Sequence, residues 1–199
     1  MLVIGLTGGI ACGKSTVSEM FLNCDRKVID SDKISKSILD IDSSGYQEVI
    51  EAFGKEIVLP SGHINRKRLG EIIFNDDEKR QILNSIVHPK VVDAIKRRIQ
   101  LYDLEGEDYV VVDIPLLFEA KLEYLVDFVV CVKVENEIQI ERLMTRDGIT
   151  KELALKKISS QMPLEEKCAC ADEVIDNSNS ILDTKKQLVE ILKKRDIVL

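Results

Sequence analysis

Five short apolar runs, separated by amphipathic segments, organise the hydrophobic pattern of the chain. They lie at Leu2–Leu6, at Val28–Ile29 and within the segments "YVVVDIPLL", "DFVVCVKV" and "DEVIDN". Runs of this length without polar alternation are typical of strands that are buried on both faces of a parallel sheet. Helically spaced apolar positions follow the runs, so we expect right-handed βαβ crossovers and a five-stranded parallel sheet with helices on both faces.

A helical block between residues 32 and 105 interrupts this alternation. Its apolar positions recur at helical spacing and predict no strand. Pro89 lacks an amide hydrogen, so we expect one helix to end near His88 and another to begin at Pro89. The pattern predicts a single α/β domain with a core at residues 1–31 and 106–199 and a helical insertion at about 32–105.

The turn "DGITKE", which follows the helix after the fourth predicted strand, is typical of a mobile lid. An amphipathic helix is predicted over Glu137–Thr145, and two short helices are predicted around Pro163. Arg142 and Arg146 are four residues apart and share one helix face, where a guanidinium pair is suited to clamping a polyphosphate. A solvated helix face is the alternative for this pair.

The stretch "GGIACGKS", from Gly8 to Ser15, matches the phosphate-loop pattern G-x-x-x-x-G-K-[ST]. It lies between a predicted strand and a predicted helix, which is the context that the pattern requires. Lys14 supplies a cation for the β- and γ-phosphates, and the hydroxyl of Ser15 suits Mg²⁺. The pattern predicts a nucleoside triphosphate site whose contacts come from Gly8, Gly9, Ala11, Cys12, Gly13, Lys14, Ser15 and Thr16.

Cys12 lies within this loop, beside a helix N-terminus and Lys14. Both neighbours favour a thiolate, so we expect oxidation or alkylation of Cys12 to block ATP binding. An inert substitute for serine is the alternative.

Three aspartates end predicted strands, where open α/β sheets bind their ligands. Asp32, at the end of the second strand, is the predicted general base that accepts the proton of an attacking hydroxyl, and an ordinary N-cap of the next helix is the alternative. Asp30 is either a second acid or the N-cap of the next helix. Asp113, at the end of the third strand, either orients metal-bound water or has a structural role.

The charge and composition of the chain argue against several classes of function. The 199 residues are 45% hydrophobic and carry a net charge of −7, which argues against general binding to nucleic acid or a membrane surface. No apolar run is long enough to span a bilayer, and no cleavable signal is expected at the N-terminus. The five cysteines lack C-x-x-C spacing, so reduced thiols and a cytoplasmic protein are expected. A guanine-reading N-K-x-D motif is absent, which favours an ATP-dependent kinase over a GTPase.

Seven pieces of the sequence run in order from residue 5 to residue 177: "GLTGGIACGKST", "VIDSDKI", "INRKRLGEIIF", "IVHPKV", "VVDIPLLFE", "QIERLMTRDG" and "ADEVIDN". Together they resemble the dephospho-coenzyme A kinase family, a family of P-loop kinases. The "VIDSD" and "PLLFE" pieces are more specific than the phosphate loop. The resemblance implies a P-loop kinase fold with a five-stranded parallel sheet, a helical substrate-binding insertion and a helical lid over about 138–165.

The same resemblance implies transfer of the γ-phosphate of ATP, with Mg²⁺, to the 3′-hydroxyl of dephospho-CoA. By its place in "VIDSD", Asp32 corresponds to the catalytic base of the family. Lys14 is the second catalytic residue, Asn177 and the two lid arginines join the nucleotide site, and Ser15 holds Mg²⁺, with Asp113 acting through water. The implied contacts with dephospho-CoA come from Asp32, Arg66, His88, Pro89 and Leu116.

Two departures from the family pattern stand out. The usual Gly-Ser of the phosphate loop is Ala11-Cys12 here, and alanine suits that position if its φ is negative, so we expect Ala11 to stiffen the loop. The usual acid before Arg66 is Asn65. Two alternatives stay open at this point: a nucleoside or nucleotide kinase of the same fold, and a regulatory ATP-binding module without catalysis.

Overall fold

A computed structural model describes residues 1–199 and contains one five-stranded parallel sheet, as predicted. The strand order is β2-β3-β1-β4-β5. The five strands are β1 (Leu2–Gly8), β2 (Val28–Asp30), β3 (Tyr109–Asp113), β4 (Phe128–Lys133) and β5 (Glu173–Asp176). The central strand β1 pairs with β3 and β4, so that Leu6 lies opposite Asp113 and Gly8 lies opposite Val132. This register brings the ends of β1 and β3 together.

Nine α-helices complete the fold. They are α1 (Lys14–Leu22), α2 (Ser31–Ser37), α3 (Tyr46–Phe53), α4 (Arg66–Phe74), α5 (Asp77–Leu104), α6 (Asn136–Asp147), α7 (Lys151–Ser159), α8 (Leu164–Cys170) and α9 (Ile181–Lys193). Two short 3₁₀ turns lie at Lys55–Ile57 and Glu123–Leu125. The two short helices predicted around Pro163 are α7 and α8.

The chain divides into two compact units, which we call the core unit and the helical unit. The core unit consists of Met1–Ile29 and Ile99–Leu199 and contains the buried sheet, while the helical unit is Asp30–Arg98. In the core unit, strands β1, β3 and β4 are buried along almost their whole length, and helices α1 and α9 pack their apolar faces on one side of them. In the helical unit, most buried residues come from the helices and one 3₁₀ turn, as in Val49, Phe53, Ile57 and Leu69.

Helix α5 contradicts the prediction of a break at Pro89. It runs without interruption for 28 residues, with Pro89 inside it. The proline removes one backbone hydrogen bond and lies on the exposed side of the helix. The opposite side buries an unbroken stripe of Leu83, Val87, Val91 and Ile95 at four-residue spacing. Burial of that stripe on both sides of the proline outweighs the local preference for a break.

Helices α6 and α7 enclose a small apolar cluster of their own. Leu143 and Ala154 are fully buried there, beside Ile140. Gly148, in the left-handed conformation, ends α6, and the hydroxyl of Thr150 accepts a bond from the backbone of Leu153 to begin α7. None of the helices is both long enough and apolar enough to cross a membrane.

Candidate active site

The phosphate loop connects the end of β1 to the start of α1 and allows no side chain at two of its glycines. A Cβ on Gly13 would lie 1.9 Å from the side-chain nitrogen of Asn177, and φ at this position is +85°. A Cβ on Gly8 would lie 2.5 Å from the carbonyl oxygen of Val132 on β4. Glycine is therefore required at both positions, by close approach at Gly8 and by close approach and conformation at Gly13.

Ala11 does not have the negative φ that the sequence interpretation required. Its φ is +60°, in the left-handed region that glycine normally occupies. The loop therefore keeps the backbone shape of a glycine at this position, with a strain of about 1–2 kcal/mol. Interactions around the loop must offset that strain.

Lys14 and Asp113 form an ion pair at the meeting point of α1 and β3. The ammonium group of Lys14 donates to one carboxylate oxygen of Asp113, and the hydroxyl of Ser18 donates to the other at 2.5 Å. Asp113 is buried, and these two donors satisfy both of its oxygens. Ser15, one residue after Lys14, has an exposed side chain at the start of α1.

Asn177 secures the loop from the end of β5. Its side-chain nitrogen donates to the carbonyl oxygen of Cys12 at 2.9 Å, and its side-chain oxygen accepts from the hydroxyl of Thr184 at 2.8 Å. Arg142 donates to the backbone oxygen of Asn177 at 3.1 Å. Asn177 is only 4% exposed, so this network is an internal brace of the loop.

Cys12 contradicts the expectation of a reactive thiolate. Its side chain is fully buried in the apolar core, and burial raises the pKa of the thiol to about 11. Desolvation outweighs the neighbouring helix N-terminus and lysine because the side chain points into the core rather than along the loop surface. All five cysteines are free.

The two arginines of the predicted lid have different partners. Arg142 contacts Asn177, as described above, whereas Arg146 bonds to the carboxylate of its neighbour Asp147 at 2.8 Å. Hydrogen bonds from Arg146 and Lys157 lower the pKa of Asp147 to about 2. One arginine is thus held beside the phosphate loop, and the other lies half-exposed in the last turn of α6.

The segment "PLLFE" after β3 is held by a lysine that the sequence analysis did not identify. Lys167 of α8 is fully buried, and its ammonium group donates to the carbonyl oxygen of Pro115 at 2.9 Å and pairs with Glu119 at 2.8 Å. The same carbonyl oxygen accepts from Thr7 of β1 at 3.2 Å. Leu116, the predicted substrate contact, is 45% exposed on this segment. Nothing in the periodicity of α8 distinguishes Lys167 from a solvated lysine.

Two glutamines that hold the loop were also missed. Gln139 of α6 donates to the carbonyl oxygen of Ile10 at 2.8 Å, and the side-chain oxygen of Gln161 accepts from the amide of Ile10 at 3.0 Å. A signal for Gln139 exists in the sequence, since it lies four residues before the buried Leu143 on the buried face of α6. Gln161 follows α7 in an irregular segment that has no such signal.

In the helical unit, the predicted site residues lie on exposed helix ends and faces. The side chain of Asp30 accepts from the amide of Lys33 at 2.9 Å and caps α2, and Asp32 is exposed in the first turn of that helix. Arg66 donates to the carbonyl oxygen of Lys36 and to Asp40, both at 2.8 Å.

The remaining predicted residues of the helical unit lie near helix α4 and on α5. Asn65, at the position where the family usually has an acid, caps α4 by accepting from the amide of Arg68. His88 and Pro89 are both exposed on α5. The helical unit therefore offers cationic, imidazole and carboxylate groups at its surface.

Comparison with known proteins matches the chain to one family over most of its length. The family model of the dephospho-CoA kinases matches residues 2–183. The dephospho-CoA kinase of Bacillus thuringiensis subsp. konkukian (strain 97-27) is 49% identical over 197 residues, which cover 99% of this chain and 98% of that protein.

Two solved structures extend the likeness to three dimensions. The dephospho-CoA kinase from Campylobacter jejuni superposes with a TM-score of 0.73 at 34% identity, covering 97% of this chain and 96% of that one. TT1252 from Thermus thermophilus superposes with a TM-score of 0.80 at 31% identity, with 97% of each chain covered. Sequence and fold agree over nearly the full length, and the chain belongs to the dephospho-CoA kinase family.

Proposed function

We propose that the protein transfers the γ-phosphate of ATP to the 3′-hydroxyl of dephospho-CoA, giving CoA and ADP in the last step of CoA synthesis. The observation that carries this proposal is the braced phosphate loop, Gly8–Ser15, in a chain of the dephospho-CoA kinase family. Backbone amides of such a loop and the N-terminus of the following helix bind phosphate oxygens.

The core unit supplies the groups for ATP. Lys14 has a flexible four-carbon stem, so its ammonium group can exchange between the carboxylate of Asp113 and a phosphate oxygen. Arg142 is already held beside the loop through Asn177, and Arg146 joins it from the end of the same helix. These cations neutralise charge on the phosphates during transfer.

The residues present suit Mg²⁺. This ion takes one or two oxygen ligands from a protein and keeps several waters, which matches the exposed hydroxyl of Ser15 and a carboxylate acting through water. Asp113 has lone pairs beyond those used by Lys14 and Ser18. When bound, the ion supplies charge neutralisation on the phosphates.

Asp32 is the proposed general base. The 3′-oxygen of dephospho-CoA attacks the γ-phosphorus of ATP while the bond from that phosphorus to the leaving ADP oxygen breaks. The carboxylate of Asp32 accepts the proton of the hydroxyl. Asp32 directly follows β2 in the first turn of α2, where its carboxylate is exposed.

The helical unit is the proposed binding region for the CoA part of the acceptor. Arg66 and His88 offer groups that can bind phosphate, and Pro89 lies beside His88 on α5. Leu116 of the core unit offers an exposed apolar contact. We further propose a cytoplasmic location and small-molecule substrates alone, since free cysteines suit a reducing compartment and the net charge is −7.

A measurement of ADP release with a panel of acceptors tests this function. We expect release to depend on dephospho-CoA, and ³¹P NMR of the product to show a new 3′-phosphomonoester. Faster release with a nucleoside or a nucleoside monophosphate would show instead a kinase of the same fold with another acceptor. ATP binding without acceptor-dependent release would show a non-catalytic module.

A further inference from the structure

A single residue of the phosphate loop has both of its backbone hydrogen-bonding groups held by side chains. The carbonyl oxygen of Ile10 accepts from Gln139, and the amide of Ile10 donates to Gln161. Gln139 also lies directly against the loop, because a Cβ on Gly9 would come within 2.8 Å of its side-chain nitrogen. The two glutamines therefore fix the orientation of the peptide groups on either side of Ile10.

These peptide groups lead directly into the strained part of the loop. Ala11, the next residue, has a φ of +60°, and the amides from Ala11 onward are those that a phosphate-binding loop presents to its ligand. Alanine is strained at positive φ, whereas glycine is not, so Ala11 has a tendency to return to negative φ that a glycine would lack. Rotation of the peptide before Ala11 would accompany that return, and the two bonds to Ile10 oppose it.

Along the sequence, the two glutamines lie near the two ends of the predicted lid segment. Gln139 lies in the first turn of α6, and Gln161 lies two residues after the end of α7. Between them are both lid arginines and the whole of α7. The lid segment is thus tied to one residue of the phosphate loop at both of its ends.

Burial alone accounts for the hydrogen bond between Gln139 and Ile10, but it does not account for the one between Gln161 and Ile10. Gln139 is 3% exposed, and a buried amide needs partners wherever it lies. Gln161 is half-buried and lines an open cavity of about 640 Å³, together with Gln139, so water can reach it. Its bond to Ile10 is accordingly a better indicator of a functional link than that of Gln139.

We propose that Gln139 and Gln161 are positioning residues, which hold the Ile10 peptide so that the loop amides face the phosphates of ATP and which transmit nucleotide binding to the lid. This inference rests on the proposed use of the loop for ATP. It does not depend on which acceptor is phosphorylated.

Variants of Gln161 give the main test. Gln161→Ala removes the acceptor for the Ile10 amide, and Gln161→Glu keeps an oxygen at the same position. We expect Gln161→Ala to raise the dissociation constant for ATP about tenfold, and Gln161→Glu to recover most of that loss. Because Gln161 lines an open cavity, neither variant creates a sealed void.

Hydrogen exchange supplies a readout that a purely structural role would not change. In the wild type, we expect ATP to slow amide exchange in α7, and in Gln161→Ala this effect should disappear although the fold is retained. Gln187 gives a matched control, since it holds the amide and carbonyl of Asp176 at 2.9 Å in each case, outside the loop. Gln187→Ala should lower the melting temperature and leave the dissociation constant for ATP within about twofold.

Gln139→Glu replaces the donor by an acceptor that faces the Ile10 carbonyl oxygen, and we expect it to weaken ATP binding more than Gln161→Ala. Wild-type ATP affinity and wild-type exchange protection in a folded Gln161→Ala variant would overturn the proposal. Equal losses in Gln161→Ala and Gln161→Glu, in step with melting temperature, would also overturn it. Since ATP binding is measured directly, a failure to phosphorylate dephospho-CoA would count against the proposed function alone.

Discussion

The candidate site residues of the two units differ in how they are held. In the core unit, Asn177 and Asp113 are buried, and they and Lys14 are bonded to other parts of the same site. In the helical unit, Asp32, Arg66 and His88 are on exposed helical positions. The difference indicates that the proposed nucleotide side is braced by the fold, whereas the proposed acceptor side presents exposed groups whose final placement would depend on the substrate.

This comparison predicts that substitutions in the helical unit separate activity from stability, and that substitutions in the loop affect both. The largest expected effect is that of Asp32→Asn, which keeps the shape of the side chain but cannot accept a proton. Turnover should fall by about 10²–10⁴-fold in steady-state assays, while both substrates still bind and the melting temperature is unchanged.

Asp30→Asn is the matched control for that variant. Asparagine caps a helix as well as aspartate does, so the bond to the Lys33 amide and the turnover should both persist. If Asp30→Asn abolished turnover and Asp32→Asn did not, the base would be Asp30. Weaker dephospho-CoA binding with normal turnover in Asp32→Asn would make that residue a substrate contact and not the base.

The second prediction concerns Lys14→Ala. Loss of this cation should remove about 2.7–4 kcal/mol of transition-state stabilisation, which corresponds to a fall in turnover of about 10²–10³-fold. The melting temperature should also fall, because the buried carboxylate of Asp113 keeps only Ser18 as a partner. Lys186→Ala removes an exposed lysine that pairs with Asp183, and should change neither quantity. Normal turnover in folded Lys14→Ala would contradict the phosphate-loop assignment.

The third prediction is for Arg66→Ala. We expect KM for dephospho-CoA to rise by roughly 10-fold or more, since hydrogen bonds to charged groups contribute about 1.5–3 kcal/mol. Stability should change by less than about 1 kcal/mol, because the pair with Asp40 is exposed. Arg68→Ala, which removes an exposed pair with Glu71 on the same helix, is the control and should leave KM unchanged. An unchanged KM in Arg66→Ala would remove this residue from the acceptor site.

The smallest expected effect is that of thiol modification at Cys12. With a pKa of about 11, about one molecule in 10⁴ carries the thiolate at neutral pH, and the side chain is buried. Iodoacetamide should therefore label the exposed Cys170 first, as peptide mapping would show. Wild type and Cys12→Ser should lose activity equally slowly. Rapid inactivation of the wild type alone would mean that the loop opens far enough to expose Cys12.

Local patterns were sufficient for the strands and most of the helices. The runs around β1, β3 and β4 are apolar because both faces of those strands are buried, and a signal of that kind is visible in a single sequence. The break predicted at Pro89 was wrong because it rested on local information alone. The rule considers one residue and its neighbours, whereas the stripe from Leu83 to Ile95 gains its stability from tertiary packing.

In the candidate site, too, local sequence predicted some features, whereas contacts between distant residues decided others. The phosphate loop is contiguous, so its spacing alone predicts a backbone that follows β1 and precedes α1. The residues that brace it, Gln139, Gln161 and Asn177, come from distant parts of the chain, as does Lys167, which holds the "PLLFE" segment. Of these, only Asn177 was named beforehand, and it was named through the resemblance to a family.

The sequence by itself determined the order of the strands and of most helices along the chain, the position of the phosphate loop and the family, because each depends on residues that are close together or on ordered motifs. Tertiary structure decided that Ala11 takes a positive φ, that Cys12 is an unreactive buried thiol and that two glutamines hold Ile10. Each of these properties depends on groups that are brought together only when the sheet and its covering helices are assembled. Burial, hydrogen-bond partners and backbone strain are set by that assembly, and no local spacing encodes them.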